Sequence, residues 1–113
     1  MNNQLFNIYG DGEQNRDFIF VKHVVDVNIK ACKSDITDIF NIASDKKINI
    51  NQLVDIINEI LGKEIDPSYS EPVSGDIRHS VADVHKASTF GFEPSIDFKV
   101  ELSETIQWFN DKK

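Results

Sequence analysis

The sequence is poor in the features that mark several broad classes of protein, and each shortage excludes something. Among 113 residues there is one cysteine, Cys32, so no disulfide can close within the chain and no thiolate cluster can surround a metal. A reducing, cytoplasmic setting fits this best. The three histidines, His23, His79 and His85, have neither H-x-x-x-H nor H-E-x-x-H spacing, which leaves zinc without a candidate cage. No apolar run approaches the roughly 20 residues that span a bilayer, and the polar start Met1-Asn2-Asn3-Gln4 does not read as a signal peptide, so no membrane is expected as a partner. Positive charge is scarce as well. Twelve Lys and Arg stand against 19 Asp and Glu, a net charge of −7 with no segregated basic patch, which argues against nucleic acid. The pairs Lys46-Lys47 and Lys112-Lys113 read as solvated ends.

What is present suits one small domain spanning residues 1–113. Forty per cent of the residues are hydrophobic and eight are Phe, enough for a core. So short a chain still leaves much surface in water, and a piece of a larger domain would leave some of it apolar, so association is expected.

The pattern predicts a mixed α+β fold of short strands with about four helices. Leu5 to Tyr9 reads as a short extended segment ended by the turn Gly10-Asp11-Gly12. Phe18-Ile19-Phe20-Val21 is an unbroken apolar run, expected to be a buried strand. From Val21 the period changes to that of a helix, with Val21, Val24, Val25, Ile29 and Cys32 on its inner face. Residues 38–43 (DIFNIA) read as a second buried strand in which Asn41 must be a satisfied buried amide. Asn49 and Gln52 form a capping box for a helix whose stripe is Ile50, Leu53, Val54, Ile57, Ile60 and Leu61, and Gly62 stops it. Residues 66–78, rich in proline, glycine and small polar side chains, should form an extended surface loop. Asp83 caps a short helix ending near Phe90-Gly91, and Pro94 prevents its continuation. Asp97 caps the last helix, with Phe98, Leu102, Ile106 and Phe109 facing inward, and Trp108 and the Phe set are expected in the core.

Four stretches carry a resemblance to a known family. The string IYGDGEQNRDFIFVKHVVDV resembles I-Y-G-D-G-x-Q-x-R-D-F-[IV]-[YH]-V-x-D-[VL]. EPVSGDIRHSVADVHKASTFGFEP resembles E-P-R-x-G-D-[IV]-x-H-S-x-A-D-x-x-K-A-x-x-x-G-[FY]-x-P, while IFNIASDKKINI and LSETIQWF match a middle stretch and an ending. The patterns are those of the extended short-chain dehydrogenase/reductases, the NAD-dependent epimerase/dehydratase family that includes UDP-glucose 4-epimerase. In order and spacing the similarity runs through nearly the whole chain.

The resemblance implies a C-terminal lobe that closes over the nucleoside diphosphate of a sugar nucleotide, with NAD held by a separate Rossmann domain of the complete enzyme. By the same resemblance Arg16 contacts the diphosphate, Tyr9 lies beside the nucleobase, and Asp76 contacts ribose hydroxyls and steadies the arginine. The residue types suit those roles: the planar fork of Arg grips phosphate bidentately, and a tyrosine beside a glycine turn offers an aromatic face. Read without the family, Arg16 is a surface side chain paired to Asp17 or another carboxylate, Tyr9 a core ring and Asp76 a turn residue. Lys22 and His79 add positive potential at most.

The sequence also departs from the family. Neither the Gly-rich dinucleotide fingerprint nor a Tyr-x-x-x-Lys pair occurs; Glu13 and Val73 stand four places after Tyr9 and Tyr69. The chain alone is therefore expected to hold no NAD and to be inactive. Val73 occupies the place where the family commonly has a second phosphate-binding arginine, and Arg78 is the nearest candidate to replace it. His23 stands in place of an aspartate at the start of the first helix, at a cost of a few tenths of a kcal/mol in helix-dipole energy. The expected partners are a UDP-type sugar nucleotide and either the Rossmann domain or further copies of the chain. The alternative is a stand-alone binding or oligomerisation module derived from such an enzyme.

Overall fold

The computed structural model of the chain describes residues 6–93 and 97–112. Its elements, in order, are strands β1 (Asn7–Tyr9) and β2 (Asn15–Arg16), helix α1 (Val21–Cys32), strand β3 (Ile48–Asn49), helix α2 (Ile50–Leu61), strand β4 (Ser68–Ser70), a 3-10 helix (His85–Phe90) and helix α3 (Phe98–Asp111). The mixed α/β class is as read from sequence. Of the four expected helices, three are α-helical among the described residues, and the fourth is the 3-10 segment. Leu5 and Pro94 lie outside the described residues.

The N-termini of α2 and α3 carry the expected side-chain caps. Asn49 accepts a hydrogen bond from the Gln52 amide at 2.7 Å while the Gln52 side chain accepts from Asn49 N at 2.9 Å, and Gly62 closes α2 at φ 65°. Asp97 accepts from Val100 N at 3.1 Å at the head of α3. Asp83 accepts from His85 N at 2.9 Å, and Gly91 ends the 3-10 helix at φ 96°.

Two strands were expected and are absent. In the run Phe18 to Val21, Phe20 is extended, with φ −73° and ψ 135°, but no described strand runs beside it and Val21 already opens α1. Phe18 packs instead against Phe98, ring centroids 5.9 Å apart, and Phe20 meets the edge of His23 at 5.8 Å. Residues 38–43 are irregular: Phe40 and Ile42 pack onto the core, Ala43 is buried, and Ile39 is 85% exposed. An apolar run favours extended backbone, but a strand needs a neighbour to receive its hydrogen bonds, and no described segment supplies one. Asn41 is accordingly exposed, its amide donating to Asp83 O at 3.5 Å.

The strands that do form are short and come in two pairs. β1 lies parallel to β4, Asn7 opposite Ser68 and Tyr9 opposite Ser70, within the stretch expected to be loop. β2 pairs antiparallel with β3, Arg16 opposite Ile48, and Asn15 also bridges to His79. One core cluster gathers Val27, Ala43, Val84, Ala87 and Phe92. Ile8, Val54 and Ile106 are buried apart from it.

Several apolar side chains expected inside are outside. On α1 it is Val27 that is buried, while Val21, Val25 and Ile29 remain about half exposed or more and Cys32 is exposed. On α3 Ile106 is buried, but Trp108 and Phe109 are exposed, stacked edge to face at 5.1 Å. The α2 stripe is only half buried, apart from Val54, because it walls a groove. The His23 departure has a local counterpart: His23 Nε2 lies 3.1 Å from Glu101 Oε1 of α3, and Lys22 pairs with Glu104 beside it. An aspartate at position 23 would face Glu101 with like charge.

Candidate functional site

A groove of about 1030 Å³ runs between β1, the face of α2 and the turn at residues 73–76. Its apolar wall is Ile50, Leu53, Ile57 and Leu61, and its polar end holds Tyr9, Gln14, Arg16, Val73 and Asp76. Sequence reasoning singled out three of these as ligand-contacting residues, and they come from segments some 60 positions apart.

Arg16 is fixed by the strands around it. Asn15 N donates to Arg78 O at 2.8 Å and Ser80 N donates to Asn15 O at 3.2 Å, so residues 78–80 run alongside β2. The guanidinium then donates through Nη1 to Asn15 O at 2.7 Å and through Nη2 to Asp76 Oδ1 at 2.5 Å. Its partner is thus Asp76 and not Asp17. Asp17 instead receives Ser44 N at 2.7 Å, Ser44 Oγ at 2.5 Å and Asp45 N at 3.0 Å, tying down the loop after residue 43.

Asp76 is positioned by a tight turn. Its N donates to Val73 O at 3.1 Å, and Gly75 at φ 84° supplies the positive φ that such a turn requires at its third position. Val73 lines the same groove as Arg16 and is half exposed. Tyr9 is 56% exposed, not a core ring, and its carbonyl accepts from Gln14 Nε2 at 3.1 Å.

Arg78 lines an adjoining groove of about 590 Å³ that shares Tyr9, Gln14, Val73 and Asp76 with the larger one. There it makes a two-pronged pair with Asp11, Nη1 to Oδ1 at 2.8 Å and Nη2 to Oδ2 at 3.0 Å. That hydrogen bonding, with a further bond from Glu13 N, holds the Asp11 carboxyl below its ordinary value and raises Arg78. The pair joins the 70s loop to the glycine turn.

Three polar residues went unnoticed in the sequence. Asn7 Nδ2 donates to Ser70 Oγ at 2.7 Å, and Ser68 Oγ donates to Asn7 Oδ1 at 3.1 Å, a ladder across β1 and β4. The alternation Ser68-Tyr69-Ser70 hints at a strand, but its pairing with a segment 61 residues earlier has no local signal.

No described group of His, Cys, Asp and Glu could hold a metal, and no described helix is long and apolar enough to cross a membrane. Among the described residues the glycine turn leads into β2, not a helix.

The comparisons bear on the whole arrangement. No family model matches the chain. It is 32% identical, over 98% of its length, to a putative UDP-glucose 4-epimerase of Methanocaldococcus jannaschii, of which it covers 36%. Its fold matches the UDP-N-acetylglucosamine 4-epimerase of Methanobrevibacter ruminantium M1, solved with UDP-N-acetylmuramic acid, at a TM-score of 0.93 and 40% identity. Over nearly its whole length the chain is similar to the C-terminal part of UDP-sugar 4-epimerases of the NAD-dependent epimerase/dehydratase family. In that solved structure 97% of this chain aligns with 36% of the other. The UDP-glucose 4-epimerase of Thermotoga maritima, solved with UDP-glucose, gives a TM-score of 0.91 at 33% identity, with 97% and 36% of the two chains covered. Other structural neighbours are epimerases solved with NAD. The chain thus spans about a third of the length of the epimerases it matches.

Proposed function

We propose that this chain is the substrate-side lobe of an NAD-dependent nucleotide-sugar epimerase, a single unit over residues 1–113, and that the polar end of its larger groove holds the nucleoside diphosphate. The observation that carries this reading is the locked Arg16: a guanidinium held by Asp76 and Asn15 at the mouth of a groove, with donors to spare for phosphate oxygens. Tyr9 offers the base an exposed ring on the same groove. Asp76 orients the arginine and faces the ribose, while Arg78, committed to Asp11, braces the loop that carries Asp76. The complete enzyme would draw NAD from outside this lobe and work in the cytoplasm, where the exposed Cys32 stays reduced.

Alone, the chain should bind UDP in the millimolar range at best, since part of the pocket and the second arginine are missing. Arg16→Ala should abolish binding. Val73→Arg should tighten it by about 1–2 kcal/mol, and only while Arg16 is present, because a diphosphate must be fixed by one fork before the second gains. Ligand-observed NMR on the four variants measures this. UDP binding that survives Arg16→Ala unchanged, or is undetectable throughout, would overturn the reading in favour of an interaction module.

A further inference from the structure

Helix α1 carries apolar side chains on two opposite sides. Val27 is buried in the core cluster, while Val25, two positions earlier and turned by about 200° around the helix, stands outside. Val21, Val25 and Ile29 follow one another at intervals of four and form one row along the outer side, exposed by 66%, 51% and 49%. A single exposed valine is ordinary, but a helix apolar on both sides is normally buried on both. Charges flank the row on one side only. Lys22, Asp26 and Lys30 also recur every four residues, with Lys30 Nζ 3.5 Å from Asp26 Oδ2, and the other flank, Val24 and Asn28, is uncharged. The chain's accessible surface, 8026 Å², exceeds the roughly 6300 Å² of a compact monomer of this mass by the scale of a stable interface.

We propose that the outer row of α1 is the seam of a homodimer in which two copies of the helix lie antiparallel about a twofold axis at Val25. The row reads the same in both directions: Val25 meets the partner's Val25, and Val21 meets the partner's Ile29, as an isologous contact requires. The charged flank decides the direction. In a parallel pair Lys22 would stand level with the partner's Lys22 and Asp26 with the partner's Asp26, like charge against like. Reversed about Val25, Lys22 lies only two residues, about 3 Å along the axis, from the level of the partner's Asp26. Lys30, turned a further 80° or so from the row than Lys22, stands outside the seam. No residue of α1 lines either groove, so the dimer leaves both open and the nucleotide reading stands or falls separately.

The test uses the whole chain with its native thiol removed, Cys32→Ser, and one new thiol placed on the row. Val25→Cys sits on the axis, so mild oxidation should join two copies through one disulfide. Mixed in equal amounts and oxidised, Val21→Cys and Ile29→Cys chains should give the mixed dimer well above the half that random pairing yields. Under reductant each variant should keep the wild-type mass in light scattering, which reports that fold and seam survive the substitution. Asp26→Lys should weaken the dimer severalfold at low salt and less at high salt. Three results would each overturn the proposal. An excess of like-with-like product over the mixed dimer would mean parallel helices, and a dimer that Val25→Cys fails to cross-link would put the seam elsewhere. A wild-type chain that stays monomeric at millimolar concentration would leave the row to a different partner, such as the remainder of a longer enzyme.

Discussion

At the scale of single residues, the site depends on a contact that composition does not reveal. Gly12 has φ +76°, and a Cβ placed there would lie 2.1 Å from Asn51 Oδ1. Asn51 is committed at that spot: its Nδ2 donates to Asp11 O at 3.0 Å and to Glu13 Oε1 at 2.8 Å, and its Oδ1 accepts from Tyr69 OH at 2.8 Å. One amide thus joins the glycine turn, α2 and β4. Gly12→Ala should cost about 1–2 kcal/mol for the left-handed backbone and about 1 kcal/mol more for the displaced amide. Urea denaturation of Gly12→Ala in wild-type and Asn51→Ala backgrounds separates the two contributions. The penalty should shrink when Asn51 is gone, and an equal penalty in both would refute the steric part. The sequence signals the glycine turn clearly, because Gly-Asp-Gly has few other uses. It gives no sign that Asn51, 39 positions on, fills the space a side chain would take.

At the scale of elements, local chemistry and long-range pairing fared differently. The capping box of α2 works within four residues, so Asn49 and Gln52 announce it in the sequence and the structure forms it. Asn49→Ala should lower stability by about 1 kcal/mol, read as a drop in thermal midpoint, and Gln52→Ala by less. Equal effects, or none from Asn49→Ala, would mean that packing of α2 alone sets its start. The misjudged strands lacked neighbours, not propensity. Phe18 to Val21 is apolar and residues 38–43 are mostly so, but strand formation is decided by which segment lies alongside, and β1 found its partner at Ser68–Ser70 inside an expected loop. The same distant pairing builds the candidate site. Arg16, Tyr9 and Asp76 were each singled out by motif, but their convergence on one groove depends on residues 78–80 running beside β2. Arg78, the nearest candidate to replace the missing second arginine, pairs with Asp11 on an adjoining groove that shares Tyr9, Val73 and Asp76 with the larger one.

At the scale of the whole molecule, the chain is not a self-contained globule. A compact domain of this length has a radius of gyration of about 13 Å and a monomer of this mass an accessible surface of roughly 6300 Å². The observed values are 16.5 Å and 8026 Å². The excess surface, about 1700 Å², is on the scale of a stable interface. Much of it is apolar: Val21, Val25 and Ile29 form one exposed face of α1, and Trp108 and Phe109 stand exposed at the end of α3. We expect the isolated chain to self-associate, with Val25→Lys plus Ile29→Glu reducing the apparent mass in light scattering at micromolar to millimolar concentration. A monodisperse monomer at the top of that range would mean that these faces are tolerated in water.

Sequence by itself determined whatever acts over a few residues or is written in a motif. That includes the caps of α2 and α3, the glycine stops, the family, and the identity of Arg16, Tyr9 and Asp76 as the side chains to follow. Tertiary structure alone decided which segments pair, which way each apolar face turns, and that Arg16 takes Asp76 as its partner while Arg78 takes Asp11. The division has one physical cause. Caps and turns are set by hydrogen bonds within the span of a helical turn, so a single chain segment holds all the partners. Strand pairing, burial and ion pairing depend on which distant segments meet, and among the described residues Val21, Val25 and Ile29 of α1 and Trp108 and Phe109 of α3 stay exposed.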